Sequence, residues 1–201
     1  MIRTNAPKGL QLLKPLIPEI MPSWNTQGGF TESLLIITGS MGAGKTSILS
    51  EASDILSLHQ IAHAAIDVDA LGIAHLPFAA TSDDVMYANL QSVCQNYASF
   101  GVQRFLLARS IEDRAQLERC RGIIPAANTL VCRIAASIET MQQRIRMREL
   151  GIERQAYVAR VATLNAILDR ACLEDFTVTN ENRPLNDVAM EMLIKAGWIS
   201  N

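Results

Sequence analysis

"LLIITGSMGAGKT", residues 34–46, decides how the rest of the chain is read. Its first half, Leu34 to Thr38, is continuously apolar with a β-branched end, the composition of a strand buried on both faces. Its second half fits G-x-x-x-x-G-K-[ST] on Gly39, Gly44, Lys45 and Thr46. Gly39, Gly42 and Gly44 permit backbone angles that a Cβ would forbid and let the chain close round an anion. Ser40, Met41, Ala43 and Ser47 fill the remaining positions of a loop spanning 39–47. The backbone amides of such a loop gather at a helix N-terminus, where partial positive charge favours phosphate. Lys45 reaches β- and γ-phosphates, and the Thr46 hydroxyl is a hard oxygen suited to Mg²⁺.

Downstream, strands and helices alternate. A helix is expected from about Gly44 to His59, with Ile48, Ala52, Ile55 and Leu56 on its apolar stripe. "AHAAIDVD" (62–69) reads as a second strand. "TSDD" (81–84) opens a helix with a capping-box pattern, Met86, Leu90, Val93, Cys94 and Tyr97 sharing one face. "RFLLA" (104–108) is a third strand, and Ser110 with Asp113 is expected to cap the helix after it. "TLVCRIA" (129–135) is a fourth strand. Ser137 caps a helix through Leu150, and a longer helix spans about 153–172. "DFTVT" (175–179) alternates apolar and polar residues, as at a sheet edge. Pro184 opens a last helix that Gly197 stops. This alternation requires a mainly parallel sheet covered by helices on both faces.

Residues 1–32 differ in kind. Pro7, Pro15, Pro18 and Pro22 are four of the protein's seven prolines, a density that breaks helices and excludes central strands. We read this stretch as an irregular arm ending at "QGG" (27–29), with the folded unit at 33–201. The arm has no continuous apolar segment with a cleavage site, so no secretory signal is expected, and no apolar run reaches the ~20 residues of a membrane span.

Composition narrows the function further. Hydrophobic residues at 49% and charged ones at 19% are those of a globular chain. A net charge of −2 supplies no bulk attraction for nucleic acid or anionic membrane. Cys94, Cys120, Cys132 and Cys172 form no CxxC pair and read as buried free thiols of a reducing cytoplasm. His59 and His63 are expected to flank a helix end, which keeps them off a common face and argues against a metal there.

Which nucleotide chemistry do these residues support? No N-K-x-D sequence for guanine is present. The third strand ends in Arg109, where an acid for Mg²⁺ is often found. The best replacements are Asp67 and Asp69 in "AIDVDALG". Ligands of parallel α/β sheets sit at the carboxyl ends of strands, so this pair shares a rim with the glycine loop. A spacing of two in an extended segment points both side chains one way.

With these residues in place, residues 34–198 resemble the small-molecule kinases of the P-loop class, such as shikimate, gluconate, adenylylsulfate and nucleoside monophosphate kinases, and the ATP-binding proteins grouped with them. The likeness rests on "GSMGAGKT", the Asp-x-Asp after the second strand, and the lack of an acid on the third. "RIRMRELG" (144–151) resembles the arginine-bearing lid of that class, and "DFTVTNENRPLNDVAMEMLIKAGW" (175–198) its closing strand, adenine-side loop and last helix. The resemblance implies a three-layer P-loop NTPase fold with a five-stranded sheet in the order 2-3-1-4-5. It implies a lid at about 144–155 closing over ATP, and an Asp near the acceptor. Arg144 and Arg148, four apart on one helix face, would stabilise charge on the transferring phosphoryl; the plain alternative is a solvated basic face. Arg146 points elsewhere. Arg109 at the rim would meet an anionic acceptor, and Asn180 would face adenine or simply make a turn. Residues 70–84 would line the acceptor pocket, with His75 and Phe78 in contact with substrate or packed under the loop.

The expectation is therefore an ATP- and Mg²⁺-dependent kinase for a small hydroxylated acceptor. Asp67 would position Mg²⁺ or its water, and Asp67 or Asp69 would accept the acceptor's proton. The alternative is a nucleotide-binding switch or regulatory ATPase with little phosphoryl transfer.

Overall fold

A computed structural model describes residues 31–76 and 81–200. Phe78 and nearly all of the arm lie outside the described residues. Five strands, β1 (Thr31–Thr38), β2 (Ala64–Asp67), β3 (Arg104–Ala108), β4 (Ala126–Ala135) and β5 (Phe176–Thr179), form one sheet. Its order is β2-β3-β1-β4-β5, and every pairing is parallel. This is the predicted order.

Strand β1 sits at the centre because both its faces are apolar. Leu34 and Ile36 enter one core and Leu35 and Ile37 the other, all four fully buried. At about 1.5–3 kcal/mol for each such side chain removed from water, this single strand anchors both halves of the molecule. A charge at Ile36 would break that anchoring. The first core packs under α2 (Ser82–Ser99) and α3 (Arg114–Ile123). The second packs under α1 (Lys45–Leu58), α4 (Ile138–Arg148), α5 (Arg154–Ala171) and α6 (Leu185–Lys195). The result is a three-layer α/β fold.

Helix starts match the sequence where the signal was a side-chain cap. Thr81 and Asp84 make the reciprocal capping box of α2, and Ser137 accepts from the Thr140 amide at the start of α4. Asp113 alone caps α3. Ser110 instead bonds to the glycine loop. Tyr97 is half exposed rather than on the buried face, and Cys172 is exposed at the left-handed end of α5, unlike the three buried thiols.

Strand limits moved more. β1 starts two residues before the boundary read from the sequence, because the Glu32 and Ser33 amides both reach the Gln103 carbonyl and Thr31 pairs with Ala126. β4 likewise starts earlier, at Ala126. The consequential change is at β2. Its last partner, opposite Asp67, is Ala108, where β3 itself ends. With no ladder left to extend, the chain turns at the buried Val68 into a short 3₁₀ helix, Asp69–Gly72. Asp69 is thus not on an extended segment with Asp67, and the same-side argument for the pair fails. The 3₁₀ turn is held against α2, where Asn89 donates to the Leu71 carbonyl.

Candidate active site

The glycine loop crosses the carboxyl rim between β1 and α1, and its entry is pinned. Ser40, fully buried, donates to the Val161 carbonyl in α5 at 2.9 Å. Ser110 donates to the Gly39 carbonyl at 2.8 Å, and the Thr38 hydroxyl accepts from the Ile111 amide at 2.9 Å. The loop is therefore braced by the end of β3 and by α5. Gly42 has φ +79°, and a Cβ there would collide with the Met141 carbonyl in the first turn of α4. That close approach, more than flexibility, makes glycine necessary at this position.

Lys45 folds back over the loop, its Nζ donating to the carbonyls of Gly39 at 3.0 Å and Ser40 at 3.3 Å. Burial pushes its pKa down, while Asp69 and Asp67 pull it back up. Thr46 Oγ1 donates to Asp67 Oδ2 at 2.8 Å. A hydroxyl and a carboxylate oxygen thus meet at the end of the loop, a donor set of the hard type that Mg²⁺ takes.

On the α4 side, Arg144 bridges three carbonyls: Gly42 at 3.3 Å, Ala43 at 3.5 Å and Asn180 at 2.9 Å. Asn180 is buried, and its side-chain amide donates to the Ala43 carbonyl at 2.8 Å. It lies on the back of the loop, touching the position a Cβ on Gly44 would take. Glu181 accepts from the hydroxyls of Ser137 and Thr140, which ties the loop after β5 to the start of α4 and holds its carboxyl below the usual range. Arg148 is 63% exposed and pairs with Glu149, at 2.8 Å. A pocket of about 350 Å³ opens between Gly42, Gly44 and Ser47 on one side and Arg144, Met147 and Arg148 on the other. Arg146 points away and contacts Gln142.

On the β2–β3 side stands a charge network. Arg109 pairs with Asp69 and Asp83 at 3.2 Å each and touches the Met86 sulfur. Its guanidinium lies over the Tyr87 ring at 5.3 Å, and Arg119 over the same ring at 4.1 Å. The crowding of Asp69 by protein pushes its carboxyl pKa up, against the opposing pull of Lys45 and Arg109. His75 is exposed and in no regular element.

The structure brings Lys45, Thr46, Asp67 and Asp69 together at one rim, with Arg144 and Arg148 across the loop. It puts Asn180 behind the loop and leaves Arg109 with two carboxylates already in place. Sequence reasoning missed Asp83, Ser110 and Glu181. Asp83 sits inside "TSDD", where the capping box explained the acids completely. Ser110 had the look of a cap, and Glu181 carried no pattern at all.

No family model matches the chain, and no curated protein matches it. Solved structures do. A gluconokinase from Sinorhizobium meliloti 1021 superposes with TM-score 0.56 at 16% identity, covering 84% of this chain and 93% of that one. The APS kinase of Mycobacterium tuberculosis, in complex with AMPPNP and APS, gives TM-score 0.59 at 17% identity, covering 84% and 99%. A shikimate kinase from Acinetobacter baumannii, in complex with shikimate, gives 0.53 at 16% identity, covering 86% and 97%. The fold is the three-layer α/β fold of these small-molecule kinases.

Proposed function

We propose that the protein transfers the γ-phosphoryl group of ATP, in the presence of Mg²⁺, to a hydroxyl of a small acceptor. The observation that carries this reading is the meeting of Lys45, Thr46 and Asp67 at the mouth of a pinned glycine loop, with Asp69 beside them and within the electrostatic reach of Lys45. The kinase folds of the neighbours support it. So does the absence of a guanine motif, which favours ATP over GTP.

Residues 39–47 hold the phosphates, and Lys45 exchanges its loop carbonyls for phosphate oxygens. Thr46 and Asp67 fit Mg²⁺, Asp67 directly or through a water; bound there, the ion offsets negative charge on the phosphate oxygens. Asp69 receives the proton of the acceptor hydroxyl as that oxygen bonds to Pγ and the bond from Pγ to the β–γ bridging oxygen breaks, releasing ADP. Asp67 is occupied with Thr46, and Asp69 has the raised pKa of a carboxylate closer to a proton acceptor's working range. Arg148, itself 63% exposed and paired with the partly buried Glu149, swings to the transferring group. Arg144 shapes the loop from behind and adds positive charge.

The lid at about 144–155 corresponds to the end of α4, the connection after it and the start of α5. The unit that carries the activity begins at Thr31, where β1 starts, two residues inside the arm read from the sequence. Four free thiols, three of them buried, and a net charge of −2 fit a cytoplasmic enzyme of small molecules, without nucleic acid or membrane. No helix among the described residues is long and apolar enough to cross a membrane.

The test is calorimetric titration with ATP·Mg²⁺ on wild type and Lys45→Ala, then a screen of metabolite pools for acceptor-dependent ADP formation. Loss of nucleotide binding in Lys45→Ala with an unaltered melting curve, and ADP formed only when an acceptor is added, is the expected result. Tight binding without acceptor-dependent turnover would replace the kinase by a nucleotide-binding switch.

A further inference from the structure

The arginines at the acceptor side of this rim are already neutralised. Arg109, the cation read from the sequence as an anchor for an anion, is only 9% exposed and lies between Asp69, 60% exposed, and Asp83, 53% exposed. Both terminal nitrogens are committed, and the buried Nε has no partner among the described residues. Arg119, over the same Tyr87 ring at 4.1 Å, pairs with Asp84 at 3.3 Å. Arg160 in α5 neighbours the residue that holds Ser40. It is clamped by both oxygens of Glu112, at 3.0 and 2.9 Å. Four carboxylates therefore face three guanidiniums before any acceptor arrives, and the acids are the more exposed members around Arg109.

We infer that the acceptor is non-anionic: a hydroxylated molecule, uncharged or amine-bearing, without a carboxylate, sulfate or phosphate at the recognised end. This rests on the phosphotransferase reading and sharpens it. An anionic acceptor would approach the exposed Asp69 and Asp83 before reaching Arg109, and could pair with that guanidinium only by displacing a carboxylate from a buried cation. A hydroxyl or ammonium group instead finds acceptor oxygens on Asp69 and Asp83. Asp83 is thus a specificity-determining residue that masks Arg109. It belongs to the first turn of α2, where nothing in the capping box uses it: Thr81 bonds Asp84.

Two measurements test this on the full chain. In the first, a small-molecule extract is divided by ion exchange into anionic, neutral and cationic fractions, each assayed for ADP formation with ATP·Mg²⁺. Turnover is expected from the neutral or cationic fraction; turnover confined to the anionic fraction overturns the inference. In the second, the loop is saturated with AMPPNP·Mg²⁺ and inorganic sulfate is titrated by calorimetry. Wild type is expected to bind no sulfate in the millimolar range. Asp83→Asn should gain at least about tenfold in sulfate affinity, and adding Arg109→Met should remove the gain. Sulfate binding by wild type that Arg109→Met abolishes, or no gain in Asp83→Asn, overturns the masking. Melting curves check the variants, with Asp83→Ser substituted if Asn fails to fold. If no fraction yields turnover, the phosphotransferase reading fails, and the sulfate titration still decides whether Arg109 is masked.

Discussion

Gly42→Ala tests whether the loop owes its shape to contact with α4. Two costs apply. The first is conformational: an L-residue at φ +79° pays about 1–2 kcal/mol. The second is steric. The new Cβ would lie against the Met141 carbonyl oxygen, 2.9 Å from its carbon and 3.0 Å from Cα. Those are backbone atoms of a buried residue whose amide is bonded to Ser137 at 3.0 Å, so they yield little. Overpacking of this kind costs about 1–3 kcal/mol. Gly101 isolates the first term, since its φ is +85° and a Cβ there meets nothing within 4 Å. Gly101→Ala should therefore lower the melting temperature by about 2–4 °C per kcal/mol and leave ATP binding unchanged. Gly42→Ala relieves its steric strain by moving the loop off α4, away from Arg144, and ATP must restore the lost geometry. A total of about 2–5 kcal/mol corresponds to an affinity roughly 30- to 4000-fold weaker. Calorimetry with ATP·Mg²⁺ and thermal melting of both variants read the two terms. If Gly42→Ala binds ATP within about threefold of wild type and melts with Gly101→Ala, the α4 contact does not shape the site.

The two aspartates should separate. Asp67→Asn is expected to weaken the Mg²⁺ response with ATP affinity falling less, whereas Asp69→Asn should cut acceptor-dependent kcat by about 10²–10⁴ with a near-normal Mg²⁺ titration; equal, wild-type behaviour of both removes them from the chemistry. Because burial raises the Asp69 pKa, turnover should fall as pH drops through a value above that of an ordinary Asp, and a pH–rate profile locates it. A thiol reagent should label Cys172 quickly and the other three only on unfolding, since burial raises Cys120 to about 11 and Cys94 and Cys132 to about 12; fast labelling of two or more would contradict that burial. Glu181 has a lowered folded pKa, so its stabilisation is fully present above the ordinary Glu value of about 4.3 and is lost as pH falls through the folded value. Melting curves of Glu181→Gln should accordingly converge on wild type at acid pH and diverge above it; a constant gap across that range would remove the hydrogen-bonded carboxylate from the account.

Local chemistry was legible in the amino-acid order. A strand with the continuously apolar run Leu34–Ile37 must lie at the centre of a sheet, three glycines before Lys-Thr must bend round an anion, and Thr81, Asp113 and Ser137 must cap the helices they precede. Those statements need only a residue's own side chain and its near neighbours, and they carried the sheet, the helices and the glycine loop. Partners distant in the chain were not legible. Whether Asp69 continues a strand depends on where β3 stops supplying a ladder, so its 3₁₀ turn was invisible from "AIDVD". The state of Arg109 depends on Asp69 and Asp83, 40 and 26 residues away, and Asn180 reaches the Ala43 carbonyl across 137. Sequence spacing has no term for such contacts. Only the packing of α2 against the rim decided that the arginine expected to receive an anion is covered by two acids, because burial makes a guanidinium take its counter-charges from the fold.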